Sequence, residues 1–311
     1  MSQLWNRYCN YLVRYEDLGI SLDVSRMHFA DDFLPSMQEK VDTAMKAMKA
    51  LEKGAKANPD EGPKDKNGKP KGRMVGHYWL RNPSLAPNGL GAGILADIRD
   101  VKKFAAQIHN KAIAPQKAAK FKRLLVIGIG GSALGPQLVA DALVDDWQAP
   151  LRTHFFDNTD PNGIQRVLAE IGGDLKRTLT VVISKSGGTA ETRNGMLEAK
   201  AAYEKAGLKF EKHAVAITGT KAKGCETESK LEIIASQKPK WLRIFGMTDW
   251  VGGRTSVMST VGLVPAALQG VDVDAFLTGA SAMDEKTRSL PAAQNISMML
   301  ALMWYHAGGG K

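Results

Sequence analysis

Apolar residues recur along this chain with two different periods, and the changes of period divide it. From Asp31 to Gly54, "DDFLPSMQEKVDTAMKAMKALEKG" sets apolar side chains at helical spacing among good helix formers, with Gly54 as a stop. The same helical reading extends over most of residues 1–52. "GHYWLRNPSLAP", aromatic and then proline-punctuated, predicts an ordered non-helical segment, and "ADIRDVKKFAAQIHN" predicts a short helix. From Arg123 the texture changes. "RLLVIGIGG" is a strand running into glycines, and "SALGPQLVADAL" is a helix with Leu134, Leu138 and Ala142 on one face. "LRTHFFDN", "TLTVVIS", "HAVAIT" and "WLRIFG" read as further strands. Between them lie the helices "DPNGIQRVLAEIGG" and "TAETRNGMLEAKAAYEKAG", the latter closing on Lys205 and Gly207 as a C-terminal cap does.

This alternation predicts an α/β fold: a parallel five-stranded sheet with helices on both faces, preceded by a mainly helical N-terminal region. Such sheets bind ligands at the carboxyl ends of their strands, near a topological switch point. The last stretch, "PAAQNISMMLALMWYHAGGGK", holds a helix apolar nearly all round, which needs burial on most sides. A buried helix followed at once by three glycines and a lysine is expected of a chain that continues in the whole protein. The expected division is residues 1–112 as the N-terminal region, with a basic loop at 53–73, residues 113–290 as the α/β domain, and 291–311 as the start of a connection.

Composition narrows the class. Of 311 residues, 44% are hydrophobic and 24% charged, ordinary values for a globular protein with a sizeable core. No apolar run approaches the ~20 residues that cross a bilayer, and the first residues carry no secretory signal. Two distant cysteines, Cys9 and Cys225, form neither a disulfide framework nor a metal motif, so the natural reading is a reducing cytoplasm. The net charge of +10 admits nucleic acid, an acidic membrane or a small anion as partner. Part of the excess sits in "KGAKANPDEGPKDKNGKPKGR", which lacks aromatics for base stacking and reads as a solvated loop. No nucleic-acid or membrane partner is expected, and an anionic small molecule remains.

Three turns carry the candidate chemistry. Gly128-Ile129-Gly130-Gly131-Ser132-Ala133 satisfies the loose dinucleotide pattern G-x-G-x-x-A after a strand, and Asp157 stands where a ribose-binding acid would. Any sharp strand-to-helix turn also selects glycine, so a nicotinamide- or flavin-dependent oxidoreductase is one reading among others. In Ser184-Lys185-Ser186-Gly187-Gly188-Thr189, glycines let backbone N–H groups turn inward, and the helix starting near Ala190 points its positive end at the same spot. Ser184, Ser186 and Thr189 add neutral donors that rotate to match tetrahedral oxygens. A phosphate monoester, with a charge of roughly −1.5 to −2 at neutral pH, suits that pocket. Helix capping alone needs one hydroxyl, not three. In "GMTDWVGGRTS", Arg254 leaves a glycine turn just after the fifth strand and can offer planar, permanently charged donors to an oxyanion.

Together "GIGGSALGP", "SKSGGTAET" and "DWVGGRTS" resemble, in order and spacing, the signatures of the glucose-6-phosphate isomerase family and its sugar isomerase (SIS) domains. The resemblance covers the N-terminal region and a first SIS domain, residues 113–290. It implies reversible aldose–ketose isomerisation of glucose 6-phosphate and fructose 6-phosphate through an enediolate, in glycolysis and gluconeogenesis, with no cofactor and no metal. By the same resemblance the substrate is held by Gly131, Ser132, Ser184, Lys185, Ser186, Gly187, Gly188 and Thr189. Arg254 stabilises the enediolate, and Glu191 has a supporting catalytic role or simply serves the first helical turn. The family's proton-moving glutamate, a histidine from the partner subunit and a late lysine belong to a second SIS domain, expected beyond Lys311. The whole family member is expected to be a homodimer. The six histidines here are scattered and read as structural. A non-catalytic phosphosugar-binding SIS module is the alternative function.

Overall fold

A computed structural model describes residues 2–57, 64–225 and 228–310; part of the basic loop, residues 58–63, lies outside them. The chain opens with α1 (Gln3–Tyr11) and an antiparallel hairpin of β1 (Leu12–Tyr15) and β2 (Ile20–Asp23). This hairpin interrupts the helix expected through most of residues 1–52. Val13 and Tyr15 alternate with Leu12 and Arg14, a period of two too short to stand out, and Gly19 makes the turn at φ +63°. Next come α2 (Phe33–Ser36) and α3 (Gln38–Glu52), the latter ending just before Gly54 as expected. Two short strands, β3 (Lys56–Ala57) and β4 (Arg73–Met74), pair across the ends of the basic loop. Residues 77–89 run as single tight turns around the fully buried Trp79, and α4 (Leu90–His109) is longer than its expected range.

The remainder alternates strand and helix. The order is β5 (Arg123–Ile127), α5 (Gly131–Leu143), β6 (Arg152–Phe156), α6 (Pro161–Ile171), β7 (Thr178–Ile183), α7 (Ala190–Lys205), β8 (Ala214–Gly219), α8 (Lys230–Ser236), β9 (Arg243–Met247) and α9 (Thr260–Leu268). The last two helices are α10 (Val273–Ser289) and α11 (Ile296–Ala307). The five central strands are all parallel in the order β6-β5-β7-β8-β9. Their alternate residues fill two cores. Leu124, Val126, Val181 and Ile217 meet α4 and α9, whereas Leu125, Ile127, Val182 and Ala216 meet α6, α7 and α8. Burial on both faces explains why these strands read as nearly continuous apolar runs. After β5 the chain first crosses to β6 and later returns to β7 on the other side, so the topological switch point lies between β5 and β7.

In α5 the structure reverses the expected face. Leu134 and Leu138 are exposed, as is Ala142, and the buried positions are Ala133, Pro136 and Val139. The helix lies so close to the segment before α9 that a Cβ on Gly135 would stand 3.1 Å from Val257. Small residues mark the inner face because the separation admits nothing larger.

A third core joins distant parts of the sequence. Ile296, Met299, Leu302 and Met303 of α11 pack against Val13, Tyr15, Phe29 and Val41, while Trp304 stays exposed. The Tyr15 hydroxyl donates to the Gln294 carbonyl at 2.9 Å and accepts from the Ile296 N–H at 3.0 Å. Nearby, buried Asp284 of α10 accepts from Arg81 at 3.0 Å and from Arg288, which also reaches Glu52 at 2.5 Å. Breaking such a buried pair leaves a charge uncompensated, so this network ties the tight turns at 77–89 firmly to α10.

His77 borders that network. Burial, with the Arg81 guanidinium adding to it, pushes its imidazole down to about 4 from an ordinary 6.5. Between those values the unfolded chain binds a proton that the folded chain refuses. Stability should therefore fall as pH drops from about 6.5 to about 4 and be indifferent to this group above neutrality. His77→Gln should flatten that part of the profile, read as the urea midpoint against pH for variant and parent.

Candidate functional site

The glycine turn after β5 and the donor-rich loop after β7 flank the switch point, at the carboxyl edge of adjacent strands. In the first, Gly130 takes φ +56°, and a Cβ on Gly128 would stand 2.8 Å from the Ser132 side chain. Glycine is thus required for the turn itself. Ser132, in the first turn of α5, is half-buried.

In the second loop the buried Ser184 organises its neighbours. Its hydroxyl accepts from the Gly187 N–H at 3.1 Å and donates to the Thr189 hydroxyl at 3.3 Å. Its carbonyl accepts from Thr218 at 2.7 Å, which anchors the loop to the end of β8. Ser186, exposed, accepts from the Gly188 N–H at 3.1 Å. Gly187 sits at φ +65°, where a Cβ would overlap the Leu231 backbone nitrogen, so no other residue fits. Thr189 occupies the position before α7, yet its side chain caps none of that helix's N–H groups. The positive end of a 16-residue helix therefore opens beside three hydroxyls, of which Ser186 is exposed, with its first donors unclaimed by the residue best placed to claim them. Glu191 lies half-buried in that first turn.

The Lys185 ammonium lies 3.2 Å from the Asp249 carboxylate, 3.0 Å from the Asp249 carbonyl and 3.3 Å from the Val251 carbonyl. It acts as a strut to the segment that leads into Arg254. Asp249 also pairs with Arg73 at 3.3 Å, and the Trp250 carbonyl accepts from the Gly76 N–H at 2.9 Å. The same segment meets the first turn backbone to backbone: a Cβ on Gly131 would overlap the Gly253 carbonyl. The Ser256 hydroxyl closes the turn by donating to the Gly253 carbonyl at 2.7 Å and stands 3.4 Å from the Gly131 carbonyl across the contact. The three motifs, spread over more than a hundred residues of sequence, are thus joined directly, with 249–256 as the bridge. Arg254 is exposed, and among the described residues no carboxylate lies within ion-pair distance of it.

Sequence reasoning assigned no role to Asp249 or Arg73. Asp249 stood inside a quoted motif, but Arg73 offered no signal beyond closing a basic loop. Asp157, the acid that a dinucleotide reading would need, is engaged instead by Gln137 of α5 at 2.8 Å and by Asn158 at 3.1 Å. Among the described residues no group of three or more His, Cys, Asp or Glu forms a metal-ligand set.

A family model described as phosphoglucose isomerase matches residues 24–310. Glucose-6-phosphate isomerases of Rippkaea orientalis and Geobacter sulfurreducens are each 52% identical over 310 residues, 99% of this chain and 55% of theirs. The crystal structure of a glucose-6-phosphate isomerase from Chlamydia trachomatis covers 98% of this chain and superposes with a TM-score of 0.77 at 25% identity, this chain matching 55% of that one. The chain thus spans about half the length of the curated relatives it matches.

The close passage of Gly131 and Gly253 yields a test of the bridge. Gly131→Ala should cost about 1–3 kcal/mol, the range for overpacking a well-fitted contact, and displace the Arg254 turn. A urea melt that matches the parent's would show that the two backbones do not need to touch.

Proposed function

The chain belongs to the phosphoglucose isomerase family, and from that premise we propose that the whole protein interconverts glucose 6-phosphate and fructose 6-phosphate through an enediolate. The observation that supports this reading is the linkage, through Lys185 and the Gly131–Gly253 contact, of a donor-rich, uncapped helix start to a turn bearing an arginine that is unpaired among the described residues. The substrate's phosphate, roughly doubly charged, is held by Ser184, Ser186 and Thr189 with the N–H groups around Gly187 and Gly188. Lys185 contributes through its backbone and by bracing residues 249–251, its ammonium already having partners there. Gly131 and Ser132 line the sugar side.

When the C2 proton leaves, negative charge develops on oxygen. A guanidinium aimed there in advance stabilises the transition state more than the ground state, worth about 3–4 kcal/mol in comparable cases. We assign that role to Arg254 and a supporting one to Glu191. No group in residues 1–311 is assigned the proton transfer between C1 and C2. That base, a partner subunit's histidine and a late lysine are placed in a second SIS domain, so the complete enzyme would be a homodimer. The chemistry as proposed calls for no cofactor. Residues 113–290 form the first SIS domain, residues 1–112 an N-terminal region and 291–311 the start of the connection onward. Among the described residues no helix is long and apolar enough to cross a membrane, and we place the protein in the cytoplasm.

Titrating the chain with fructose 6-phosphate tests the phosphate assignment. A hydrogen bond to a charged group contributes about 1.5–3 kcal/mol, so Ser186→Val with Thr189→Val should weaken binding at least about tenfold while leaving the melting curve in place. Undiminished affinity would return this loop to a purely structural role. In the family-length protein, Arg254→Ala should lower kcat about 100-fold or more with little change in KM. An unaltered turnover number would remove it from the mechanism.

A further inference from the structure

A cavity of about 550 Å³ lies beside the site just described. It opens at the carboxyl ends of β8 and β9 on the side covered by α4 and α9. Leu80, Leu90, Ile94, Met258, Leu263 and the Trp250 indole form its apolar walls. Trp250 packs on Trp79 with ring centroids 5.2 Å apart, which gives the cavity a rigid aromatic side. Its size falls within the range of small-molecule sites, and mostly apolar walls with a few convergent polar groups are the usual make-up of one.

Two features indicate what it takes. The first is Gly93, in the first turns of α4, which lines the cavity. Its φ is not left-handed, and a Cβ built there meets nothing within 4 Å. Glycine in a helix is destabilising by about 1 kcal/mol relative to alanine, yet nothing in the described chain demands it here. Two positions earlier the case is opposite, since a Cβ on Gly91 would overlap the Pro83 carbonyl. Gly93 is exposed at the mouth, so the space beside it is open to an occupant of the cavity. The second feature is charge. Among the described lining residues Lys56, Arg73 and Lys223 oppose Asp97 and Asp249, three cations to two carboxylates. Lys223 pairs with half-buried Asp97 at 2.6 Å, and Arg73 with Asp249 at 3.3 Å, which leaves the exposed Lys56 at the rim as the excess charge.

We propose that this cavity is a second ligand site, for a small organic monoanion with an aromatic or branched apolar body, seated against Gly93 and Trp250 with its anionic group toward Lys56 and Arg73. The site contains none of the residues assigned to substrate or catalysis. It shares Arg73, Asp249 and Trp250 with the segment that braces the Arg254 turn.

The probe is 8-anilinonaphthalene-1-sulfonate, followed by fluorescence and by calorimetry for stoichiometry. One saturable site per chain is expected. Gly93→Phe, which fills the open space, should weaken binding at least tenfold. Lys56→Glu, on the exposed rim and away from the core, should weaken it several-fold at low salt whether or not the phenylalanine variant folds. The uncharged N-phenyl-1-naphthylamine should bind less tightly than the sulfonate. Absence of saturable binding would overturn the proposal. Equal binding to Gly93→Phe would place the probe elsewhere, and equal binding of the neutral analogue would overturn the anionic class.

Discussion

The Lys185 ammonium, set among the Asp249 carboxylate and the carbonyls of Asp249 and Val251, is the contact on which the arrangement of the site rests. Parallel sheets deliver loops to one edge but do not by themselves fix the loops to each other. Here a cation from the loop after β7 holds the backbone of the segment after β9, across the intervening strand β8. A partly buried ammonium with carboxylate and carbonyl partners is a strong tie because each side would otherwise be desolvated without compensation. The bare backbone of Gly131 against Gly253 closes the other side of the same segment. Arg254 leaves that twice-held turn, so its backbone is fixed from two sides.

Much of this was legible in sequence, for identifiable reasons. Strands buried on both faces read as unbroken apolar runs, and each of the first and third strands announces its end with glycines that only a sharp turn requires. The loops at the switch point were therefore visible, although the strand order that makes them neighbours was not. The inner face of α5 was misread because hydrophobic size is a poor guide where two backbones nearly touch. Ala133, Pro136 and Val139 are inside, while the larger leucines face out. The β1–β2 hairpin was missed because four-residue strands carry too little periodicity to compete with the helical texture around them.

The direction of Lys185 was not legible either. Its partners lie 64 and 66 residues further along, and nothing local distinguishes a lysine that reaches for phosphate from one that braces a neighbouring loop. The difference matters chemically. A strut fixes where the Arg254 turn stands, and the donors left open in the loop after β7 are neutral hydroxyls, backbone N–H groups and a helix terminus.

The packing of α11 on the β1–β2 hairpin bears on how the polypeptide acquires its shape. Tyr15 and Gln294 are 279 positions apart, and a contact of that span carries a large loop-closure entropy before it is rewarded. During synthesis from the amino terminus, Val13, Tyr15 and Phe29 have only the local partners of residues 11–45 until Met299, Leu302 and Met303 have left the ribosome. The sheet can condense while this seam stands open, so the apolar side of the hairpin waits longest for its cover.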